Sequence, residues 1–168
     1  MIRRAEIQDA GGIARVHVNT WKTAYAGIVS AAYLESLSID DRTSRWKQSI
    51  EKAAGHTYVA VCEGRIVGWM CFGPSRDEDG RESHEVYAVY VEHQSWGRGI
   101  GRQLMNKAES VLLSEKRADI TLWVLEENHP SLAFYDRVGY VPDGKKKTQE
   151  IGGKALSEVR LRKRIDER

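Results

Sequence analysis

The sequence lacks the features that mark membrane-spanning and exported proteins. No apolar run approaches the roughly 20 residues of a membrane-spanning helix, and the N-terminus has no hydrophobic signal-peptide segment. Only two of its 168 residues are cysteines, Cys62 and Cys71, and both fall in strand-like runs. Two thiols in a chain that is not exported are usually reduced and structural. We therefore expect a cytoplasmic protein, with a disulfide or a nucleophilic cysteine as alternatives.

The charge balance and the histidines give no indication of a polyanionic partner or a metal. The formal charge is only +2 at pH 7, although 30% of the residues are charged. This gives no reason to expect nucleic acid or a membrane surface as a partner. Five histidines are scattered without metal-ligand spacing, so no metal is predicted. No repeat or long linker divides the chain, and residues 1–168 are expected to form a single domain.

Hydrophobic periodicity predicts a mixture of strands and helices along the whole chain. Strands are expected over about residues 2–7, 57–62, 66–72, 85–91, 120–125, 140–151 and 155–162. Helices are expected from residue 10 to a stop at residue 27, and over about 31–37, 40–53, 100–115 and 128–139. Asp9 is expected to cap the first helix, and Gly152-Gly153 to form a hairpin turn. The pattern predicts an α/β fold of mixed α and β layers.

The stretch Glu85–Met105 is the centre of this organisation. A β-branched strand ends, Gly97, Gly99 and Gly101 alternate with bulkier residues, and a helical pattern follows at once. Successive backbone N–H groups at a helix N-terminus bind anions. The stretch does not match a P-loop, because Arg102-Gln103 follows the last glycine where Lys-Ser/Thr is required, and no register gives the dinucleotide pattern Gly-x-Gly-x-x-Gly.

This stretch resembles motif A of the GNAT superfamily of acetyl-CoA-dependent N-acetyltransferases, Gln/Arg-x-x-Gly-x-Gly/Ala. Two registers are possible, one beginning at Gln94 and one at Trp96, where a tryptophan stands in place of the usual Gln/Arg. The second is preferred, because the family's helix follows the last small residue and continues with a pair such as Leu104-Met105. Asn128 and Tyr135 also match family positions, so the resemblance covers nearly the whole chain.

The resemblance implies a fold and a donor site. The GNAT-like fold has a central mixed, mostly antiparallel sheet with helices on both faces, in which strands 85–91 and 120–125 splay apart. Acetyl-CoA would lie in the gap, with its pyrophosphate on the glycine loop and its pantetheine arm along the main chain of strand 85–91. The residues expected to contact it are Val89, Val91, Gly97, Arg98, Gly99, Ile100, Gly101, Arg102 and Asn128.

Two side chains are assigned catalytic roles by the same resemblance. Tyr135 matches the tyrosine that faces the thioester sulfur, and a phenol there can protonate the departing thiolate. Glu85 matches a glutamate base that accepts the proton of the acceptor amine. A water chain, Tyr87 or His84 are alternatives for that base.

The sequence indicates less about the acceptor site than about the donor site. The family position of the first helices implies that Trp21 and Tyr25 contact it, with Trp46 and Tyr33 nearby, and the acidic loop 77–82 is a candidate for holding a cationic amine. We expect a small-molecule or peptide amine as acceptor, and kinship allows a homodimer. The alternative function is a non-catalytic acyl-CoA-binding regulatory module.

Overall fold

The computed structural model describes residues 1–53, 55–80 and 83–165. The strands are β1 (Ile2–Arg4), β2 (His56–Cys62), β3 (Arg65–Pro74), β4 (His84–Val91), β5 (Asp119–Leu125), β6 (Val141–Ile151) and β7 (Lys154–Arg164). The α-helices are α1 (Ala10–Ala24), α2 (Ala31–Ser36), α3 (Ile39–Lys52), α4 (Ile100–Ser114) and α5 (His129–Arg137). Each predicted strand and helix is therefore present, with bounds shifted by a few residues.

The strands form one mixed sheet with the order β1-β2-β3-β4-β5-β7-β6. The β4–β5 pair is parallel and the other neighbouring pairs are antiparallel. Helices α4 and α5 pack on one face around Leu104 and Tyr135, and α1 and α3 pack on the other around Ile13 and Trp69. The predicted mixed, mostly antiparallel sheet with helices on both faces is confirmed. No helix in the described parts of the chain is long and apolar enough to cross a membrane.

The first strand is shorter than the sequence predicts. It ends at Arg4, and a 3-10 turn over residues 7–9 follows. The Asp9 carboxylate accepts hydrogen bonds from the Arg3 guanidinium at 2.6 and 2.8 Å and from the Glu6 amide at 2.7 Å, which turns the chain. Asp9 does occupy the N-cap position of α1, but its side chain makes no capping bond there.

The tip of the β6–β7 hairpin packs against helix α2. Gly152 and Gly153 form the turn with φ of +60° and +78°, as the type I′ turn of a two-residue hairpin requires. Gly152 lies so close to Tyr33 that an added Cβ would be 2.7 Å from the Tyr33 Cβ. Behind it, Ile151 and Leu156 contact Leu34 in a small apolar cluster. The hairpin tip and α2 therefore form one continuous wall.

Replacing Gly152 with valine is expected to lower the free energy of unfolding by about 2–5 kcal/mol. A positive φ strains a β-branched residue by about 1–2 kcal/mol, and overpacking against Tyr33 typically costs about 1–3 kcal/mol more. Gly153→Val is the matched control, because Gly153 has a similar φ but nothing within 4 Å of an added Cβ. Urea denaturation compares the two variants, and equal losses would contradict the role of the Tyr33 contact.

Candidate functional site

The central sheet opens between β4 and β5. The two strands pair only over His84–Val86 and Ile120–Leu122. Tyr87 then forms a β-bulge. Cys71 of β3 faces Ala88 and Phe72 faces Val86, so Tyr87 has no register partner on β3. A bulge bends its strand and increases its twist. The rest of β4 therefore diverges from β5, and its outward main-chain groups have no partner strand among the described residues.

Helix α4 begins beside this gap with a bare N-terminus. Gly99 is the N-cap residue with φ of +75°, and no side chain caps the helix. The Gln103 amide donates to the Gly99 carbonyl at 3.0 Å, so the amides from Gly99 to Arg102 have no intrahelical acceptor. An added Cβ on Gly97 would meet nothing within 4 Å, so space is open in front of the loop. This arrangement fits the pyrophosphate of coenzyme A.

Trp96 has a structural role in this loop. Its indole N–H donates to the Val91 carbonyl at 2.7 Å, and its ring lies 4.7 Å from the His93 ring, centroid to centroid. The indole thus ties the loop to the end of β4. The helix begins at Ile100, directly after Gly99 and two residues earlier than the preferred register implies, so Gly101 lies inside the first turn.

Gly101 allows α4 and α5 to approach closely. An added Cβ would lie 3.0 Å from the Phe134 ring. The neighbouring Tyr135 is buried in the core that also contacts Val89 and Val91 of β4. Asn128 caps α5 by accepting from the Ser131 amide at 3.3 Å. The predicted donor-side residues therefore lie around one gap in the sheet.

The Tyr135 phenol is held in its protonated form. Burial raises its pKa well above the usual value, and the charge of an ionised Tyr25 would raise it further. Tyr25 directly follows α1 on the other face of the sheet, so this influence acts across the region of the gap. A phenol that stays protonated at neutral pH is a proton donor rather than a base.

The face of the sheet opposite α5 carries the predicted acceptor residues. Trp21 of α1 and Tyr25, the C-cap residue of that helix, pack edge to face at 4.7 Å between centroids, and the Tyr25 and Tyr90 hydroxyls are 3.4 Å apart. Burial and, second, the charge of Arg42 lower the pKa of His17 to about 4, so that imidazole is a weak proton acceptor. Trp46 instead packs on Trp69 at 4.6 Å within the core.

Glu85 lies at the start of the gap and is already engaged. Its side chain is 1% exposed. Its Oε1 accepts from the Arg76 guanidinium at 2.6 Å, and Oε2 accepts from the Arg76 amide at 3.0 Å and from Nε at 3.2 Å. Arg76 therefore occupies both carboxylate oxygens. This pair could not be predicted from the sequence, because it depends on the path of the loop after β3.

The acidic loop is tied down by an arginine of β7. The Arg160 guanidinium donates to Asp77 at 3.1 Å and to Asp79 at 2.7 and 3.0 Å. These bonds lower the pKa of Asp79 to about 2, so the pair stays ionised at neutral pH. Asp77 also accepts from the Trp123 indole. These carboxylates hold the loop over β7 and are not free for an amine, and Glu82 lies outside the described residues.

The cysteines and the acidic residues do not form other reactive centres. Both cysteines are free thiols, and burial raises the pKa of Cys71 to about 12, which keeps the thiol protonated. In residues 1–53, 55–80 and 83–165, no three His, Cys, Asp or Glu side chains are grouped closely enough to hold a metal ion.

Known proteins share this sequence and architecture. The profile of the Acetyltransferase (GNAT) family matches residues 21–140. An uncharacterised N-acetyltransferase of Bacillus subtilis, YuaI, is 35% identical over 95% of this chain and 90% of its own. A probable N-acetyltransferase of Mycobacterium tuberculosis is 28% identical over 86% of this chain and 81% of its own.

A solved structure has the same fold. The PaiA N-acetyltransferase of Thermoplasma acidophilum, crystallised with coenzyme A, superposes with a TM-score of 0.74 over 98% of each chain at 21% identity. At that identity the likeness shows the fold, and the profile and the Bacillus relative extend it to the sequence. The chain therefore belongs to the GNAT family, and it is an N-acetyltransferase with acetyl-CoA as its acetyl donor.

Proposed function

We propose that the enzyme transfers the acetyl group directly to a primary amine of a small molecule or peptide, with donor and acceptor bound together. The observation that carries this proposal is the gap between β4 and β5. The bare start of α4 and the Tyr135 phenol border it on one face, and Trp21 and Tyr25 lie on the other. Two substrates entering from opposite faces would meet there without a covalent enzyme intermediate.

The donor is held mainly by main-chain groups in this proposal. The amides from Gly97 to Arg102 hold the pyrophosphate, and the exposed side chains of Arg98 and Arg102 add screened attraction. The open edge of β4 at Val89 and Val91 pairs with the pantetheine arm as an added strand would. Asn128 keeps its capping bond, and its side chain also contacts the arm.

The protein moves protons at two places. Acetyl-CoA supplies the acetyl group as a thioester. Tyr135 donates a proton to the departing sulfur, and because burial raises its pKa the phenol carries that proton at neutral pH. Glu85 is the base predicted from the sequence, but three hydrogen bonds from Arg76 already fill most of its acceptor sites.

The same proposal covers the organisation of the chain. Strands from both ends of residues 1–168 join one sheet, which supports a single catalytic domain. Two free thiols suit a reducing compartment, which supports a cytoplasmic enzyme. A homodimer stays a prediction, which sedimentation of the purified protein would test.

An amine panel tests the proposed activity. Purified enzyme with acetyl-CoA is expected to release thiol faster when a polyamine, an amino acid, an aminoglycoside or a peptide with a free N-terminus is added. Mass spectrometry should show one acetyl group added to the amine. The N-acetylated form of each active compound is the matched control, because it lacks the nucleophilic nitrogen. Tight binding of acetyl-CoA without faster thiol release for any amine would overturn the proposal.

A further inference from the structure

Glu158 lies on the floor of the acceptor side of the sheet. On β7, residues two apart face the same way. Leu156 on one side of it packs against α2, and Arg160 on the other side holds the acidic loop. Glu158 is therefore positioned between helix α2 and the acidic loop. Its register partner on β5 is Leu125, the last residue of that strand, at the mouth of the gap.

The Glu158 carboxylate is buried but incompletely satisfied. Its side chain is 12% exposed, and its Oε2 has no hydrogen-bond partner among the described residues. The Lys147 ammonium is 3.7 Å from Oε2, in ion-pair range but beyond hydrogen-bond distance, and it lies over the Trp123 ring at 4.2 Å from the centroid. A carboxylate removed from water without full hydrogen bonding is unfavourable unless a cation binds it.

Glu158 differs from Glu85 in this respect. Both oxygens of Glu85 accept bonds from Arg76, whereas Oε2 of Glu158 accepts no hydrogen bond among the described residues and has the Lys147 ammonium at 3.7 Å. A proton acceptor needs a lone pair within reach of the donor. Glu158 is also the more exposed of the two side chains, 12% against 1% for Glu85.

We propose that Glu158 binds the acceptor as an ammonium ion and then takes its proton, a step that rests on the proposed acetyl transfer. The N–H electron pair becomes the nitrogen lone pair, and the proton goes to the Glu158 carboxylate. The nitrogen then bonds to the acetyl carbon while the carbon–sulfur bond breaks, and the electrons of that bond leave on sulfur, which Tyr135 protonates. The nitrogen loses its second proton to solvent, which leaves a neutral amide, and Tyr135 regains its proton from solvent. The substrate class is thus a cationic primary amine.

The charges around Glu158 set the direction of its titration. Burial raises its pKa, and the cations Lys147 from β6 and Arg76 from the loop oppose this, while Glu85 on β4 adds to the rise. From α1, Tyr25 faces it as a neutral phenol whose own pKa is raised by burial and by the charge of Glu158. The wild-type kcat/KM should therefore rise as pH increases through the raised pKa of Glu158, because only the ionised carboxylate binds the ammonium ion and takes its proton.

Glu158→Gln tests the inference with whichever amine of the panel is acetylated. The variant keeps the shape of the side chain but cannot take a proton, so kcat/KM at pH 7 should fall by about 10²-fold. Turnover by the variant then depends on the fraction of the acceptor amine that is already neutral in solution. The pKa of a primary amine is near that of lysine, about 10.4. The deficit should narrow by about tenfold per pH unit between pH 7.5 and 9.5, while calorimetric acetyl-CoA affinity stays unchanged.

Glu150→Gln is the matched control, because Glu150 is an exposed carboxylate on the adjacent strand β6. It should keep the wild-type pH profile. If the wild type is active and the Glu158→Gln variant keeps the wild-type pH profile, the role of Glu158 is wrong. The proposed acetyl transfer is not affected by that result. If Glu85→Gln gives the pH-dependent deficit and Glu158→Gln does not, the base is Glu85. A wild type that acetylates no amine overturns the proposed function, and this inference with it.

Discussion

Tyr135→Phe is expected to lower kcat by about 10²-fold and to change the affinity for acetyl-CoA by less than about threefold. The substitution removes the hydroxyl that protonates the departing sulfur, a general-acid contribution of about that size. The ring remains, so packing against Val89 and Val91 is kept. Burial keeps the Tyr135 phenol protonated at neutral pH, so the wild type should not lose activity up to pH 9 through this group. Steady-state kinetics and calorimetry separate the two effects.

Tyr140→Phe is the matched control for this variant. Tyr140 belongs to the same core, with its ring 6.1 Å from that of Tyr135, and its hydroxyl is buried without a hydrogen-bond partner in the described structure. Removing that hydroxyl should leave kcat unchanged, because no proton is transferred there. If Tyr135→Phe keeps the wild-type kcat from pH 6 to 9 at saturating substrates, the general-acid role is wrong.

Gly99→Val is expected to raise the dissociation constant for acetyl-CoA at least about tenfold. The left-handed conformation at φ +75° costs a β-branched residue about 1–2 kcal/mol. Relief of that strain moves the amides that begin α4 away from the pyrophosphate, and about 1.4 kcal/mol corresponds to a factor of ten in affinity. Isothermal titration calorimetry measures the change directly.

Gly144→Val controls for the strain itself. Gly144 has φ of +87° and nothing within 4 Å of an added Cβ, and it lies on β6 away from the glycine loop. It should lose stability in thermal denaturation but bind acetyl-CoA with wild-type affinity. An unchanged dissociation constant for a folded Gly99→Val variant would remove the loop from the coenzyme site.

The donor half of the site was predictable because its signals are local. The end of a strand, the alternating glycines and the helix that follows are contiguous within Glu85–Met105, and turn chemistry and periodicity act at that range. The position of Tyr135 came from the family resemblance. The closeness of Gly101 to Phe134 did not follow from either, since it depends on how two helices pack.

The acceptor half was not predictable because its contacts join distant segments. The acidic loop looked available for a cation until the structure placed Arg160 against Asp77 and Asp79. The position of Glu158 depends on the register of β7 with its two neighbours, which alternation of polar and apolar residues does not determine. Tyr90 was likewise missed, because its meeting with Tyr25 requires the docking of α1 on β4.

The single extra residue at Tyr87 also bears on the solubility of the protein. Beyond the bulge, β4 carries unpaired main-chain groups of the kind that, at the margin of a sheet, template aggregation with other chains. Here that edge lies in the interior of the sheet, with α4 packed on one face and α1 on the other. Helices on both faces of an edge are one way in which proteins keep it from pairing with a foreign strand. The fold thus keeps an unpaired strand edge and limits which molecules can pair with it.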